Sequence, residues 1–381
     1  MKGWQYKTLK DSSLLVTDGD WIESKDQSSS GIRLIQTGNI GVGCFKSKDD
    51  KPHYISEDTF ERLGCTEIYE GDCLISRLPE PVGRGCLVPK TDDRMITAVD
   101  CSIIRFKEIM RPRFFIYYSQ SAKYLQDILN HTTGTTRKRI SRKNLEGINI
   151  PVPPIAEQEK IVAELDCLSG IIEKKKQQLK ELDVLAQSTF YEMFGDPIEN
   201  DKGWKTESLE KVSTLINGRA YKQNELLDSG KYRVLRVGNF FTNGNYYYSD
   251  LELEEDKYCD YGDLLFAWSA SFGAFIWRED KVIYHYHIWK VLYDNDKLNI
   301  QYYRFLLNTM TAFFMKDVHG IGMVHLTKAG MEQYVLPIPP LALQQDFASK
   351  IEAIEKQKEL IKQSIQETET LFNSRMDYYF N

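Results

Sequence analysis

The sequence predicts an α+β protein of two homologous halves, and three features of the chain support this fold class. Motifs recur along the chain at ordered offsets, each half begins with short β-type runs such as Ile32–Ile35 and Val282–Trp289, and each half ends in a long heptad pattern. The 381 residues are 42% hydrophobic and 27% charged, which is sufficient for two or three domains with cores of their own.

The internal repeat is defined by four pairs of matching segments. The pairs at an offset of 200 are Gly3-Trp4 with Gly203-Trp204 and Arg33–Ile40 with Arg233–Phe240. The later pairs are Gly71–Ile75 with Gly262–Phe266 at an offset of 191, and Pro151–Pro154 with Pro337–Pro340 at an offset of 186. The offset falls along the chain, as expected if the second half has shorter loops.

We therefore predict four segments. Residues 1–150 and 199–336 form two compact α+β domains, and each domain is followed by a proline-rich start and a long helix, at 151–198 and 337–381. Proline has a fixed φ and no N–H group, which suits an extended segment and the first turn of a helix.

The first long helix is predicted from Ile155 to Gly195, because seam residues recur there at alternating steps of four and three. At about 1.5 Å per residue such a helix is roughly 60 Å long, so it needs a partner along its length. The partner is the matching helix of this chain or of another chain; the alternative is two ordinary surface helices, each packed on its own domain. The seam positions are Ile161, Leu165, Leu168, Ile172, Lys175, Leu179, Leu182, Ala186, Thr189 and Met193, matched by Phe347, Ile351, Ile354, Lys358, Ile361, Ile365, Thr368, Phe372, Arg375 and Tyr379.

Composition also restricts where the chain is expected to reside. The longest uncharged apolar stretch, Leu264–Trp277, is too short and too mixed to span a bilayer, so no membrane segment is predicted. Lys2, Lys7 and Lys10 stand where an export signal needs an apolar core, and we therefore expect the cytoplasm. The seven cysteines form no C-x-x-C pair and are expected to be reduced and mostly buried.

The net charge is −6, yet positive charge is concentrated in one segment. Residues 101–150 contain ten Lys or Arg residues and three Asp or Glu residues. A small, hydroxyl-rich loop precedes the basic run in this segment, and such a loop can approach a phosphate backbone closely. The alternative is a solvated basic face. The predicted phosphate contacts are Thr135, Thr136, Arg137, Lys138, Arg139, Arg142 and Lys143.

Motifs for catalysis are lacking. The chain has no Asn/Asp-Pro-Pro-aromatic tetrapeptide for methyl transfer, no dinucleotide loop and no nucleoside-triphosphate loop. Asp18, Glu23 and Lys25 only faintly resemble the metal site of a nuclease. His285 and His287 share a face if they lie on a strand, but no third ligand is near them in sequence, so we predict a structural role and no metal.

Three features together carry a family resemblance. Gly71-Asp72 and Gly262-Asp263 precede apolar strands, Gly134-Thr135-Thr136 forms a loop, and residues 150–158 read Ile-Pro-Val-Pro-Pro-Ile-Ala-Glu-Gln. With its repeated halves, the whole chain resembles the specificity subunit of type I restriction–modification enzymes. The second half departs from the pattern, because Gly320–His325 replaces the basic loop and Leu343 stands where Glu157 does.

The resemblance implies a function and a set of partners. Each half would contain a target-recognition domain for one part of a split double-stranded DNA site. The two helices would pair as an antiparallel coiled coil with pseudo-twofold symmetry, space the domains and dock methyltransferase subunits, and a restriction subunit would join the complex. This chain would then be no enzyme, and S-adenosylmethionine, ATP and Mg²⁺ would be bound by the partner subunits.

Base recognition needs amide, guanidinium and aromatic groups on loops at strand ends. The candidates in the first half are Gln36, Asn39, Arg77 and Arg84, and those in the second half are Arg236, Asn239, Asn243, Asn245, Tyr246, Trp268, Ser269, Ser271 and His325. The alternatives are that the Asn after Gly38 or Gly238 simply tolerates a turn with φ > 0 and that Trp268 belongs to the core. Two other functions stay open: a coiled-coil scaffold that binds only protein, and a stand-alone endonuclease that uses the Asp18 triplet.

Overall fold

The computed structural model describes residues 3–135, 137–242, 244–269, 271–317 and 326–381. The chain divides into two compact units, Met1–Lys175 with Ser364–Asn381 (unit 1) and Lys176–Gln363 (unit 2). Each unit contains one α+β domain and a segment of each long helix. The predicted boundaries at residues 150, 198 and 336 divide the chain into consecutive domains and helices. The two units are divided differently, because each unit contains part of both long helices.

The domain of unit 1 is built mainly of short strands. Its strands are β1 (Gln5–Thr8), β2 (Ser13–Asp18), β3 (Gln27–Ser28), β4 (Ile32–Ile35), β5 (Tyr54–Ile55), β6 (Glu67–Ile68), β7 (Cys73–Ser76), β8 (Gly85–Leu87), β9 (Met95–Thr97), β10 (Cys101–Phe106), β11 (Thr132–Thr133), β12 (Arg139–Ile140) and β13 (Asn149–Val152). Its helices are α1 (Glu57–Leu63), α2 (Pro112–Tyr118), α3 (Ala122–Asn130) and α4 (Arg142–Glu146), followed by the first part of α5 (Ile155–Phe194).

The domain of unit 2 has the same general order of elements. Its strands are β14 (Thr206–Ser208), β15 (Ser213–Asn217), β16 (Tyr232–Leu235), β17 (Tyr247–Ser249), β18 (Tyr258–Cys259), β19 (Leu264–Ser269), β20 (Ser271–Ile276), β21 (Val282–Tyr284), β22 (Ile288–Tyr293) and β23 (Val335–Pro337). Its helices are α6 (Leu209–Val212), α7 (Val237–Thr242), α8 (Ile300–Phe314) and α9 (Lys328–Glu332), followed by α10 (Leu341–Phe380), whose last part belongs to unit 1.

The sheets show the internal repeat directly. Strands β2, β10, β7 and β8 form an antiparallel sheet in that order in unit 1, and β15, β22, β19 and β20 form its counterpart in unit 2. A second sheet in each unit contains one parallel pair, β4 with β9 in unit 1 and β16 with β21 in unit 2. The predicted run Val282–Trp289 is not one strand, because a turn at His285–His287 separates β21 from β22.

Each long helix is attached to its own domain by one buried glutamine. Gln158 accepts a hydrogen bond from Arg111 N and donates to the carbonyl oxygens of Ile109 and Pro153, each at 2.8 Å. Gln344 repeats the arrangement with Asn299 N and the carbonyl oxygens of Lys297 and Pro339, again at 2.8 Å. Both side chains are fully buried. The glutamine that follows each proline cluster therefore ties the first turn of the helix to its domain.

The first long helix ends one residue before the predicted end at Gly195. Its last residue is Phe194, and Gly195 follows with φ of 75°. A side chain at Gly195 would meet the Asp201 carboxylate, so the left-handed backbone and the close approach both require glycine here.

The long helices run antiparallel within each unit. In unit 1, Glu164 pairs with Arg375, and Lys175 donates to Ser364 Oγ at 2.6 Å. In unit 2, Lys358 Nζ lies 2.7 Å from the Asp183 carboxylate, and Phe190 packs on Phe347. Residue numbers rise along α5 as they fall along α10, which is the antiparallel coiled coil that the resemblance implies. Every predicted seam position is buried or partly buried.

Each domain packs on the start of one long helix and the end of the other. The Phe380 ring of α10 lies 5.5 Å from Phe114 in unit 1, and the Phe194 ring of α5 lies 4.6 Å from Tyr302 in unit 2. The buried residues that the long helices contribute to the two main cores include Ile161, Leu165, Met376 and Phe380 in unit 1 and Ala186, Phe190, Phe194, Phe347, Ile351 and Ile354 in unit 2.

Candidate nucleic-acid interface

Several loops of unit 1 meet at the ends of its strands. Main-chain hydrogen bonds join Ala98 N to Ile35 O at 2.8 Å, Arg77 N to Asp100 O at 2.9 Å, and Ile140 N to Arg77 O at 3.2 Å. We call this surface edge 1; it consists of residues 36–40, 77–84, 98–100, 131–135 and 137–143. The predicted candidates of the first half that the structure describes lie on it, but they occupy different positions.

Arg84 is buried and holds two of these loops together. Its guanidinium donates to the carbonyl oxygens of Ile40 at 2.7 Å, Thr37 at 2.8 Å and Leu78 at 2.8 Å. These bonds occupy the donors that would have to reach a base. The prediction that Arg84 reads DNA is therefore corrected: it is a structural link within edge 1.

Arg77 is also buried, and its contacts support the loops of edge 1. It donates to the Val99 carbonyl oxygen at 2.6 Å, and its Nε lies 3.3 Å from the Asp18 carboxylate. A side chain that is 4% exposed is not available to a groove of DNA, so its predicted role in base reading is corrected as well. Asp18 is thereby committed to Arg77 and Ser102, and Glu23 pairs with Lys25.

The two asparagines of the repeated Gly-Asn motif close equivalent turns. Asn39 accepts a hydrogen bond from Gln36 N at 2.9 Å, and Asn239 accepts one from Arg236 N at 2.8 Å. Both residues are buried, so neither amide faces solvent as a reader. The sequence-based alternative, in which each asparagine tolerates a turn with φ > 0, is wrong, because neither residue has a positive φ; each side chain instead accepts the hydrogen bond that closes its turn.

Gln36 remains partly exposed and lines a cavity of about 290 Å³ on edge 1. Lys48, Lys51 and His53 line the same cavity. Sequence reasoning missed these three residues, because only the fold brings the loop before β5 next to the turn after β4. An amide and two lysines around one cavity provide donors for both bases and phosphates.

The predicted basic loop is the tip of a β-hairpin formed by β11 and β12. Gly134 has φ of 99°, and a side chain there would meet the Arg137 carbonyl oxygen, which is why the tip requires glycine. Thr135, Arg137, Lys138 and Lys143 are exposed, whereas Thr136 lies outside the described residues. The other two cations are engaged: Arg139 pairs with Asp100 at 2.7 Å and Arg142 pairs with Glu146 at 3.4 Å.

Unit 2 builds a corresponding surface, edge 2, from residues 217–221, 235–239, 267–269 and 284–288. Trp268 and Arg77 both stand six residues after the Gly of the Gly-Asp motif. Trp268 Nε1 donates to the Tyr286 carbonyl oxygen at 3.0 Å, just as Arg77 donates to that of Val99. The backbone framework is thus the same at both edges, while the side chains differ.

The remaining candidates of the second half are distributed as follows. Arg236 and Asn245 are exposed, with the Arg236 guanidinium 5.1 Å from the Tyr247 ring. Trp268 is partly buried and stacks on Trp289, and Ser269 is buried; both residues lie at the end of β19, and Ser271 begins β20. Tyr246 and Ser271 are partly buried, and Asn243 and His325 lie outside the described residues.

The Gly-Asp motif itself is structural. Asp72 accepts a hydrogen bond from Tyr69 N at 2.9 Å and pairs with Arg105 at 2.8 Å. Asp263 closes its turn through Asp260 N at 2.8 Å and pairs with Lys290 at 2.6 Å. In both units the aspartate links a turn to the neighbouring strand of the sheet.

Two features are absent from the described part of the chain. None of the helices there is long and apolar enough to cross a membrane. No group of three or more His, Cys, Asp or Glu side chains is arranged to hold a metal ion within those residues.

Two α+β domains with repeated sheets, each with loops gathered at the ends of its own strands, define this chain as an internally repeated two-domain protein. The family model of the type I restriction modification DNA specificity domain matches residues 1–183 and 201–370, once in each half of the repeat. These matches cover most of the sequence, so the chain belongs to the type I restriction–modification DNA specificity family.

Individual relatives are distant. The MjaVIII type I restriction enzyme specificity subunit of Methanocaldococcus jannaschii is 23% identical over 287 residues, which are 67% of this chain and 66% of that protein. The EcoBI specificity subunit of Escherichia coli is 21% identical over 165 residues, 43% of this chain and 35% of that protein. The chain therefore spans less than two thirds of the length of these two relatives.

A solved structure shares the fold over the full length. It comes from work on the complex assembly and conformational transition of a type I restriction–modification system. The likeness covers 100% of this chain and 98% of that one, with a TM-score of 0.62 and 17% sequence identity.

Proposed function

We propose that this chain is the DNA-recognition subunit of a type I restriction–modification complex, in which each unit reads one part of a bipartite duplex site. The observation that carries the proposal is the pair of edges. Equivalent main-chain hydrogen bonds hold the loops of edge 1 and edge 2, but the side chains presented there differ in chemistry. Two different readers on one repeated framework suit a target with two different halves.

The chemistry of edge 1 supports contact with DNA. Arg137 and Lys138 project from the hairpin tip and would neutralise phosphates without regard to sequence. Gln36, beside the cavity, offers the amide that pairs well with adenine in the major groove. Edge 1 therefore combines a positioning element with a reading element, as sequence-specific recognition requires.

The long helices supply the spacing and the docking surface in this proposal. Forty residues at about 1.5 Å each make a helix of roughly 60 Å, long enough to separate two half-sites by about one turn of DNA. Leu185 and Leu371 are equivalent in the repeat, and both are half exposed on their helices. Two equivalent exposed leucines suit two copies of one partner, which we take to be the methyltransferase subunit.

Catalysis would then belong to partner subunits. We propose that methyltransferase and restriction subunits bind S-adenosylmethionine, ATP and Mg²⁺, and that this chain contributes sequence selection alone.

The test is selection of bound duplexes from a random DNA library by the full chain, alone and with methyltransferase subunits, at several salt concentrations. We expect enrichment of two short motifs separated by a fixed gap. Enrichment of one continuous motif, or of none, would contradict the proposal. Insertion of one heptad into both long helices should lengthen the preferred gap, and an unchanged gap would refute the spacer role.

A further inference from the structure

The turn between β21 and β22 occupies a special place on edge 2. Tyr286 N donates to the Arg219 carbonyl oxygen at 3.0 Å, and His285 N donates to that of Leu235 at 2.9 Å. The carbonyl oxygen of Tyr286 accepts from Trp268 Nε1, and that of His287 accepts from Trp268 N at 3.1 Å. The backbone of the turn is thus fixed by three neighbouring segments, so its side chains project from a rigid base.

The side chains of this turn form an aromatic cluster. The Tyr286 ring centroid lies 3.9 Å from that of His287 and 4.5 Å from that of His285. Trp268 flanks the cluster at 6.0 Å from Tyr286, and Tyr221 stacks beside His285. Tyr286 is the exposed member of the turn, and the two histidines are partly buried on either side of it.

One imidazole of the cluster is neutral near neutral pH, and a cation lies close to it. Burial, with His287 and Arg236 nearby, lowers the pKa of His285 to about 4, so its imidazole is neutral. Arg219 is engaged by Glu225 at 2.8 Å. Arg236 is exposed and has no ion-pair partner within the described ranges. An aromatic surface beside an exposed guanidinium fits base edges next to a phosphate.

The same turn in unit 1 carries different residues. The three residues that follow β9 are Ala98, Val99 and Asp100, and Cys101 N closes the turn on the Ala98 carbonyl oxygen at 2.9 Å. Ile288 N closes the turn of unit 2 on the His285 carbonyl oxygen at 3.0 Å. The same main-chain hydrogen bond closes the turn in both units, but the turn carries small or acidic residues in unit 1 and aromatic residues in unit 2, so the two units diverge at this position.

We propose that Tyr286, presented on this fixed turn, contacts base-pair edges in the half-site read by unit 2 and determines part of its sequence preference. Its hydroxyl can donate and accept hydrogen bonds, and its ring can pack on a thymine methyl group. Arg236 contacts a neighbouring phosphate. This inference rests on the proposed function, since it assigns residues to one of the two predicted half-sites.

The experiment compares Tyr286→Ala, Tyr286→Phe and Arg236→Ala in the full chain, with methyltransferase subunits present, by selection from the random duplex library. We expect Tyr286→Ala to reduce discrimination about tenfold at one or two base pairs of a single half-site. Tyr286→Phe should retain any preference that depends on the ring. Arg236→Ala should weaken binding to all sequences equally and lower the salt dependence.

Tyr261→Ala is the matched control, because Tyr261 is an exposed tyrosine of unit 2 that lies in the turn before β19. It should leave the selected motif unchanged. An unchanged motif for Tyr286→Ala, or an equal loss across all sequences, would overturn the assignment. If the unmodified chain selects no bipartite motif, the proposed function itself fails, which is a distinct result.

Discussion

Gln158→Ala should release the start of the first long helix from its domain. The side chain makes three hydrogen bonds of 2.8 Å in a place without solvent exposure, and alanine can make none of them. The variant leaves the Arg111 N–H and the carbonyl oxygens of Ile109 and Pro153 without partners. Unpaired polar groups in such a position destabilise the folded state.

The expected loss is about 3 kcal/mol, from roughly 1 kcal/mol for each of the three hydrogen bonds. Gln344→Ala should lose a similar amount in unit 2, because Gln344 makes the same three bonds. Gln158→Glu keeps the volume but directs a carboxylate at two carbonyl oxygens, so we expect at least the same loss. That variant separates lost hydrogen bonds from lost packing.

Hydrogen exchange of the full chain, followed by mass spectrometry, measures the effect locally. A loss of about 3 kcal/mol corresponds to faster exchange by a factor on the order of 100 for amides that open with the junction. Gln345→Ala is the control, since Gln345 is the exposed neighbour of Gln344. If Gln158→Ala or Gln344→Ala changed local exchange no more than Gln345→Ala, the anchoring role would be refuted.

Three further predictions concern the edges and the helices. Arg77→Ala should lower the melting temperature and weaken binding to every sequence, because it removes a buried support; a change confined to one base pair would show that Arg77 reads DNA after all. If Arg137 and Lys138 each contact one phosphate, replacing both by alanine should reduce the slope of the logarithm of the DNA-binding constant against the logarithm of the salt concentration by about 1.8. DNA titrations at several salt concentrations measure this slope, and an unchanged slope would contradict the phosphate contacts. Leu185→Glu and Leu371→Glu should each weaken co-elution with methyltransferase subunits while leaving the melting temperature unchanged, and normal co-elution of the double variant would exclude these docking sites.

The repeat and the long helices were predictable because their signals are local in sequence. Seam residues recur every three or four positions, and Gly195 marks the end of α5 by itself. The roles of Arg84 and Asn39 were not predictable, because their partners are fixed only by the folded loops. A polar residue beside a turn has the same sequence pattern whether it faces solvent or supports the turn.

The equivalence of Arg77 and Trp268 shows why sequence alone could not separate support from recognition. A guanidinium and an indole share no chemical type, yet each donates an N–H group to the same carbonyl position of the adjacent turn. This supporting contact requires only a side-chain N–H donor at the right place. The other atoms of the side chain can therefore differ between the two units. The buried glutamines and the Gly-Asp turns repeat in both units with the same bonds. Stability therefore resides in contacts that the two units share, and the edges can diverge in sequence preference without loss of the fold.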